Sequence, residues 1–544
     1  MLVDFRKNEA RNFDADLCII GAGAAGITLA RAFLGTSTRV CLLESGGLEY
    51  DDDVQELYEG ENIGRPYFEL DATRLRYFGG STNHWAGRST PLDDIDFQHR
   101  PWVPHSGWPL TRADLDPYYK KAQPICNLGP YVYDERVWQS LDVKAPYPFD
   151  ADKLRVQFWQ FSKPVVRFGE AFHDVLTQAD NITVVLHANV TNIGINQAGS
   201  KVERLDIASL TGHTGVVRAR YFVLACGGLE NPRLLLVSNN VEPAGVGNRH
   251  DLVGRFFMEH PKGRAGDIVA LDPYRLLDIY RKHFPPDSAP YWAAFHPGAA
   301  LQRDQAILNS SLALYYAPEP GSGAAALLEI RNAHRKGREI HDWGSKIWRV
   351  LKDLDVIAAG LYRRQVEGKA PIASPGVLYF RARGEQAPNR QSRVTLSGER
   401  DALGLNRIAL DWRLSDIDKR SIAVLTRTLG EEFGRLGLGR IRLADWLADG
   451  AAWPDDLVGG NHHMGTTRMA ENPKQGVVNG DGRVHENDNL YIAGSSVFPT
   501  GGWAPPTLTI VALALRLADH LKARLAQSEL ALTPPGRAPR RESV

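Results

Sequence analysis

Apolar and polar positions change rhythm several times along the chain. Residues 15–47 read ADLCIIGAGAAGITLARAFLGTSTRVCLLESGG: an apolar run from Leu17 to Ile20, a glycine turn, an Ala- and Leu-rich stretch, and a second apolar run ending at Glu44. That order predicts strand, turn, helix and strand. From residue 181 the runs shorten and alternate, as ITVVLHANVTNIGI, KVERLDIASL and VVRARYFVLACGG. They predict a strand meander leading into a buried strand, Phe222 to Ala225, which ends at Gly227-Gly228. A helix is expected to start in the LENPRLLL that follows. Further on, VLYFRARG, SRVTLS and RIALDWRLS predict strands, and the residues from Asp418 onward have helical period. These are expected to build a second domain whose sheet covers a bound cofactor from one side.

Other stretches lack either period. Residues 75–92, LRYFGGSTNHWAGRSTPL, are dense in glycine, hydroxyl and aromatic residues and predict a shaped loop of the kind that more often carries function than linkage. Thr111-Arg112-Ala113-Asp114 resembles a capping box opening a helix. The middle of the chain, about 260–455, is rich in tryptophan and proline and holds a flexible-looking PEPGSGAA at 318–325. The last sixteen residues, ELALTPPGRAPRRESV, are polar and Pro-rich and are expected to be disordered.

Composition narrows the classes. A chain of 544 residues exceeds what one core usually organises, so two domains are expected. Lys plus Arg and Asp plus Glu are balanced at 64 each, so no global field favours nucleic acid or an anionic membrane. No apolar segment follows the first charges, so a secretory leader is not expected and the cytoplasm is the expected location. The apolar stretch Leu508 to Leu517 is too short to span a bilayer. Four widely spaced cysteines suggest neither a disulfide framework nor a zinc site.

The glycine turn carries the first chemistry. Gly21 permits the tight turn, Gly23 lets a pyrophosphate approach the backbone, and Gly26 lets the helix lie close to the strand. The helix start then offers free N–H groups and a positive dipole end to the phosphates. Glu44 lies near the spacing, about 20 residues on, at which a carboxylate accepts the ribose hydroxyls of an adenosine. Dinucleotide binding is the expectation.

Five motifs occur in one order: the glycine turn with Glu44, the loop Gly79-Gly80-Ser81-Thr82-Asn83-His84-Trp85, CGGLENPRLLL, GNHHMGTTRM at 460–469, and NLYIAGSSVFPTGGWAPPTLTIVALALRLADHL at 489–521. As a set they resemble the glucose–methanol–choline (GMC) oxidoreductases, nearest the bacterial pyranose-oxidising branch. The resemblance implies an α/β fold with a Rossmann-like FAD-binding domain and an inserted α+β substrate domain on an antiparallel sheet. It implies a discontinuous FAD domain from 1–110, 181–260 and 456–528, a substrate domain and linking segments from 111–180 and 261–455, and a tail at 529–544. FAD contacts are implied for Gly21, Gly23, Ala25, Gly26, Glu44, Ser81, Thr82, Asn83, His84, Trp85, Val190, Gly227, Gly494, Ser495, Pro506 and Thr507. In relatives with GG-x-x-x-H the histidine bonds covalently to the flavin, and His84 stands there.

The implied activity is oxidation of a secondary alcohol, on a sugar or sugar glycoside at ring position 2 or 3, with hydride passing to flavin N5. The small-molecule alcohol and oxygen or another electron acceptor are the implied partners. Non-redox lyases of the same family and oxidoreductases of non-sugar alcohols remain alternatives. Removing hydride from a carbinol requires a base, and a neutral imidazole suits pH 7. His462 occupies the family's catalytic position, and His463 faces the other way if the segment is extended. Many members carry Asn or His opposite that base, where this chain has Pro505, which has neither a side-chain donor nor an N–H.

Overall fold

The computed structural model describes residues 1–7, 11–141, 143, 145–285, 288–335, 339–366 and 376–532. The predicted strand, turn, helix and strand form as Asn12–Ile20, the glycine turn, Ala24–Ala32 and Val40–Leu43. They are the centre of an eight-stranded sheet. Its parallel part runs from Leu2–Asp4 through Ile182–Leu186, Val40–Leu43 and Asn12–Ile20 to Thr214–Leu224, where Leu490–Ile492 adds a further parallel strand. Helices cover this sheet, so Val40–Leu43 and the carboxyl halves of Asn12–Ile20 and Thr214–Leu224 are buried, as their continuous apolar runs require.

The expected meander is shorter than its sequence suggests. Asn189–Ile195, Val202–Ala208 and the start of Thr214–Leu224 pair antiparallel. Ile182–Leu186 instead pairs parallel with Val40–Leu43. Alternation reads alike in both settings, and only long-range pairing decides between them.

A second eight-stranded sheet is antiparallel throughout. Its order is Gly439–Leu443, Lys262–Ala270, Val377–Arg383, Ser311–Ala317, Tyr291–Pro297, Leu154–Phe161 and Arg88–Ser89, with Lys282–His283 beside Tyr291–Pro297. One face packs a core of Phe158, Phe295, Leu312, Leu314 and Phe380 against the long helix Asp416–Arg435. The other face looks toward the ends of the first sheet.

Three expectations are corrected. SRVTLS and RIALD do not join the second sheet: Arg393–Arg400 and Asn406–Asp411 form a small sheet with Gly60–Asn62. This sheet shares an apolar cluster with Leu229 of the helix Gly227–Val237. Segment 111–180 divides. Its helix Arg112–Ile125, opened by the expected Thr111 capping box, packs Tyr119 into the core of the first sheet, while Leu154–Phe161 joins the second. The final helix Thr507–Leu532 continues into the expected tail, whose remainder, 533–544, lies outside the described residues. No helix among the described residues is long and apolar enough to cross a membrane.

Candidate active site

The carboxyl ends of the first sheet's strands and the inner face of the second sheet enclose a cavity of about 560 Å³. A ligand crevice outside the carboxyl ends of parallel strands is where an open α/β sheet binds.

One end is the glycine cradle. Gly21, Gly23 and Ala25 line it, and Gly227 and Gly494 approach from two other strand ends. A Cβ placed on Gly23 would meet nothing within 4 Å, whereas one on Gly26 would lie 1.9 Å from the Gly21 carbonyl oxygen. Gly23 therefore keeps space open in the cavity, and Gly26 permits close packing of helix on strand. No side chain caps the helix Ala24–Ala32, so its first amides are left for a ligand.

Glu44 is buried and accepts hydrogen bonds from the amides of Ala22 and Gly46, both at 2.9 Å. Nearby, Arg74 and Arg76 lie 3.1 and 3.5 Å from the carboxylate of Glu230, and both stack on the Tyr58 ring. Three cations, counting Arg233, hold the Glu230 carboxyl below its ordinary range against the cost of burial. Nε of Arg74 and of Arg76 are buried with no protein partner. The cradle, the uncapped helix and these arginines fit a dinucleotide with its diphosphate.

Ser81, Thr82, His84 and Trp85 line the middle of the cavity. The Trp85 indole is fixed by its bond to Val166 O at 2.8 Å, and the His84 imidazole is held below its usual pKa by partial burial and by Arg167. Pro506 and Thr507, which begin the final helix, also line the cavity. The first amide returned within that helix is Ile510, to Pro506 O at 2.8 Å, so the amides before it present a positive end.

At the far end two segments run antiparallel. Met258 bridges Met464, and two residues inward on each strand stand His260 and His462. Paired residues project to the same face, and the two imidazoles meet, Nδ1 to Nδ1, at 2.7 Å. The other nitrogen of His260, Nε2, lies 2.8 Å from the carbonyl of Gly502. A carbonyl only accepts, so His260 Nε2 carries hydrogen. In the neutral ring its Nδ1 then accepts, and His462 Nδ1 donates. The tautomer follows by elimination: His462 Nε2 is unprotonated. Burial keeps both rings neutral, pushing His260 down to about 3 and His462 well below its ordinary value, where the neighbouring cations add to the effect.

Glu259 ties the pair together. Fully buried, it accepts the amides of Gly460, His462 and His260, and the Tyr67 hydroxyl at 2.9 Å. Burial pushes its carboxyl pKa up, against the pull of these donors. The same hydroxyl lies 3.1 Å from His463 Nε2, so that ring is held among Tyr67 and Phe257. Because that hydroxyl donates to Glu259, it accepts from His463 Nε2–H, which orients the His463 ring toward Tyr67 while His462 turns the other way, to His260.

Every residue expected to touch the cofactor or reactant lines the cavity except Gly26 and Asn83. Gly26 sits one turn behind the cradle wall, and Asn83 turns its amide to Phe78 O at 2.9 Å. The structure adds His260, Glu259, Tyr67, Arg74 and Arg76, which the sequence reading does not select. The pairing of MEHPK with the histidine motif, some two hundred residues later, is the signal that would have found the first two.

The family model for the C-terminal part of the GMC oxidoreductases matches residues 388–514. The large subunit of fructose dehydrogenase from Gluconobacter japonicus is 22% identical over 93% of this chain and 97% of its own. The 6'''-hydroxyparomomycin C oxidase of Streptomyces lividus is 26% identical over 93% and 92%. Among solved structures, pyridoxine 4-oxidase from Mesorbium loti superposes with a TM-score of 0.56 at 18% identity, covering 94% of this chain and 99% of that one.

The two glycines should separate binding from folding. Gly23→Ala is expected to leave stability of the ligand-free protein within about 0.5 kcal/mol of wild type while weakening dinucleotide retention. Gly26→Ala is expected to destabilise by about 1–3 kcal/mol through overpacking. Thermal melts with and without cofactor read both, and a Gly23→Ala protein that retains its dinucleotide normally contradicts the cradle.

Proposed function

The chain belongs to the GMC oxidoreductases, FAD-dependent enzymes that act on CH–OH donors, and on that premise we propose that it oxidises a secondary alcohol of a sugar or sugar glycoside, at ring position 2 or 3. The observation that carries the reading is the imidazole chain from Gly502 through His260 to His462, which leaves one unprotonated nitrogen in the cavity wall. Relatives that act on sugars and aminoglycosides support the substrate class. Oxygen or another acceptor takes the electrons in the second half of the cycle.

The glycine cradle, Glu44 and the loop Ser81 to Trp85 would hold FAD, which when bound would supply a hydride acceptor for the carbinol carbon. The chain's own groups do the rest. His462 Nε2 takes the hydroxyl proton, a step for which a positioned base contributes roughly 10²–10⁴-fold. Its Nδ1–H stays on His260, so the ring cannot swing or change tautomer. The side chain that relatives carry is missing at Pro505, and His260, on the segment beside that of His462, gives the base a hydrogen-bond partner. The amides opening the final helix, from Thr507, would offer donors and a positive end to FAD and so favour negative charge on it. His84, which lines the cavity as a neutral imidazole, is assigned a covalent link to FAD: its ring nitrogen would replace one hydrogen of the flavin 8α methyl group, and the enzyme's electron acceptor would take the two electrons released with two protons.

Anaerobic mixing with a panel of sugars is expected to bleach the flavin of the wild type. His462→Ala should keep its yellow colour and bleach slower by about 10²–10⁴-fold, and an unchanged rate removes His462 from the reaction. Because burial lowers the His462 pKa, protonation and loss of kcat/KM with a neutral sugar should set in only below pH 6.5; a half-activity point at or above 6.5 argues against a buried base. Acid precipitation should leave the flavin in the pellet, and colour in the supernatant excludes the His84 bond.

A further inference from the structure

The inner face of the second sheet is positively charged. Lys262 pairs directly with Arg383 across two strands, and Arg381 follows two residues before Arg383, so the three project to one face. Arg88, on the strand at the far edge of the same sheet, is held over the rings of Trp159 and Trp292 at 4.7 and 4.9 Å. All four line the cavity at the end that holds His462.

One carboxylate, Glu259, attracts Lys262 and Arg383 from behind the wall, but it pairs with neither: its oxygens are taken by the amides of Gly460, His462 and His260 and by the Tyr67 hydroxyl, and four cations outnumber it. The acids lining the cavity are Glu44 and Glu230, both at the cradle end. Glu44 is taken by backbone amides, and Glu230 by Arg74, Arg76 and Arg233. Among the described residues Arg88, Lys262, Arg381 and Arg383 make no ion pair. Arg383 is only 8% exposed, and its Nη1 is buried without a hydrogen-bond partner. Leaving a buried charge unpaired costs several kcal/mol, and a chain tolerates that at a site where a ligand supplies the counter-charge. The cofactor's diphosphate does not, because the cradle and its two arginines lie at the other end.

We propose that the substrate is an anion: a hydroxy compound whose carboxylate or phosphate is held by Arg383, Lys262, Arg381 and Arg88 while its carbinol rests against His462. This rests on the reading of the cavity as an alcohol-oxidising site and narrows it from sugars to sugar acids or sugar phosphates. Planar guanidinium groups suit a carboxylate or phosphate in bidentate contact. The neighbouring charges act on one another as expected of a cluster lacking its anion. Burial and Arg383 bring Lys262 down to about 7, and burial with Arg88 brings Arg383 down to about 9. Polycationic amino sugars would meet repulsion here.

Anaerobic reduction of the holoenzyme by glucuronate, glucose 6-phosphate, glucose and glucosamine tests this, with inorganic phosphate as a non-reacting probe. One of the two anionic sugars should reduce the flavin with a kcat/KM at least about tenfold above glucose, the scale of one charged hydrogen bond, and glucosamine should be slowest. Which anion wins separates carboxylate from phosphate. Arg383→Met and Lys262→Met should each collapse the ratio of anionic to neutral sugar toward one. Inorganic phosphate should shift the flavin absorbance and raise the melting temperature of the wild type more than of either variant. If glucose equals both anionic sugars and phosphate perturbs nothing, the proposal is overturned and the cations serve the reduced flavin instead. If no alcohol bleaches the flavin yet phosphate perturbs the wild type alone, the anion site stands and the alcohol-oxidation reading fails.

Discussion

The histidine end of the cavity depends on one buried carboxyl group. Glu259 accepts three amides and a tyrosine hydroxyl from segments far apart in sequence, and without it the turn at Gly460 to His462 would bury those amides unpaired. A buried donor left unsatisfied costs about 1–3 kcal/mol, so the antiparallel seating of 258–262 against 458–464 is strongly fixed. That seating sets which histidine faces which. His260 meets His462 because the register places them opposite, and the Gly502 carbonyl then dictates the direction of both imidazole hydrogen bonds. A hydrogen bond in one loop thereby sets the tautomer of the imidazole at His462.

Charge is divided along the same cavity. The cradle end pairs its arginines with Glu230 and keeps free amides for a diphosphate. The sheet end has cations alone, held apart from the apolar core by strand alternation: odd positions of Val377–Arg383 carry Arg381 and Arg383 inward, while Phe380 and Ala382 pack beneath the long helix side. The chain's overall neutrality hides this arrangement, since 64 basic and 64 acidic residues cancel only as a sum. Rings of Trp159 and Trp292 hold Arg88 in place without neutralising it.

What the sequence determined by itself was local. The strand, turn, helix and strand around Gly21 follow from an apolar run meeting glycines at fixed spacing, and Thr111 announces its helix by a capping box, because both depend on residues within a few positions of one another. The order of motifs was enough to expect the fold class and the two candidate histidines. Tertiary structure decided what depends on pairing across the chain. Ile182–Leu186 left the meander for the parallel sheet, and the strands at 393–411 left the second sheet for a small one of their own, because alternation does not name a partner. His260 and Glu259 showed no motif of their own, since their meaning comes from lying opposite residue 462. The different surroundings of His462 and His463 come from Tyr67, a residue nearly four hundred positions away whose hydroxyl meets the His463 ring while His260 meets His462. Spacing along a chain records contacts within an element, and only packing records those between elements.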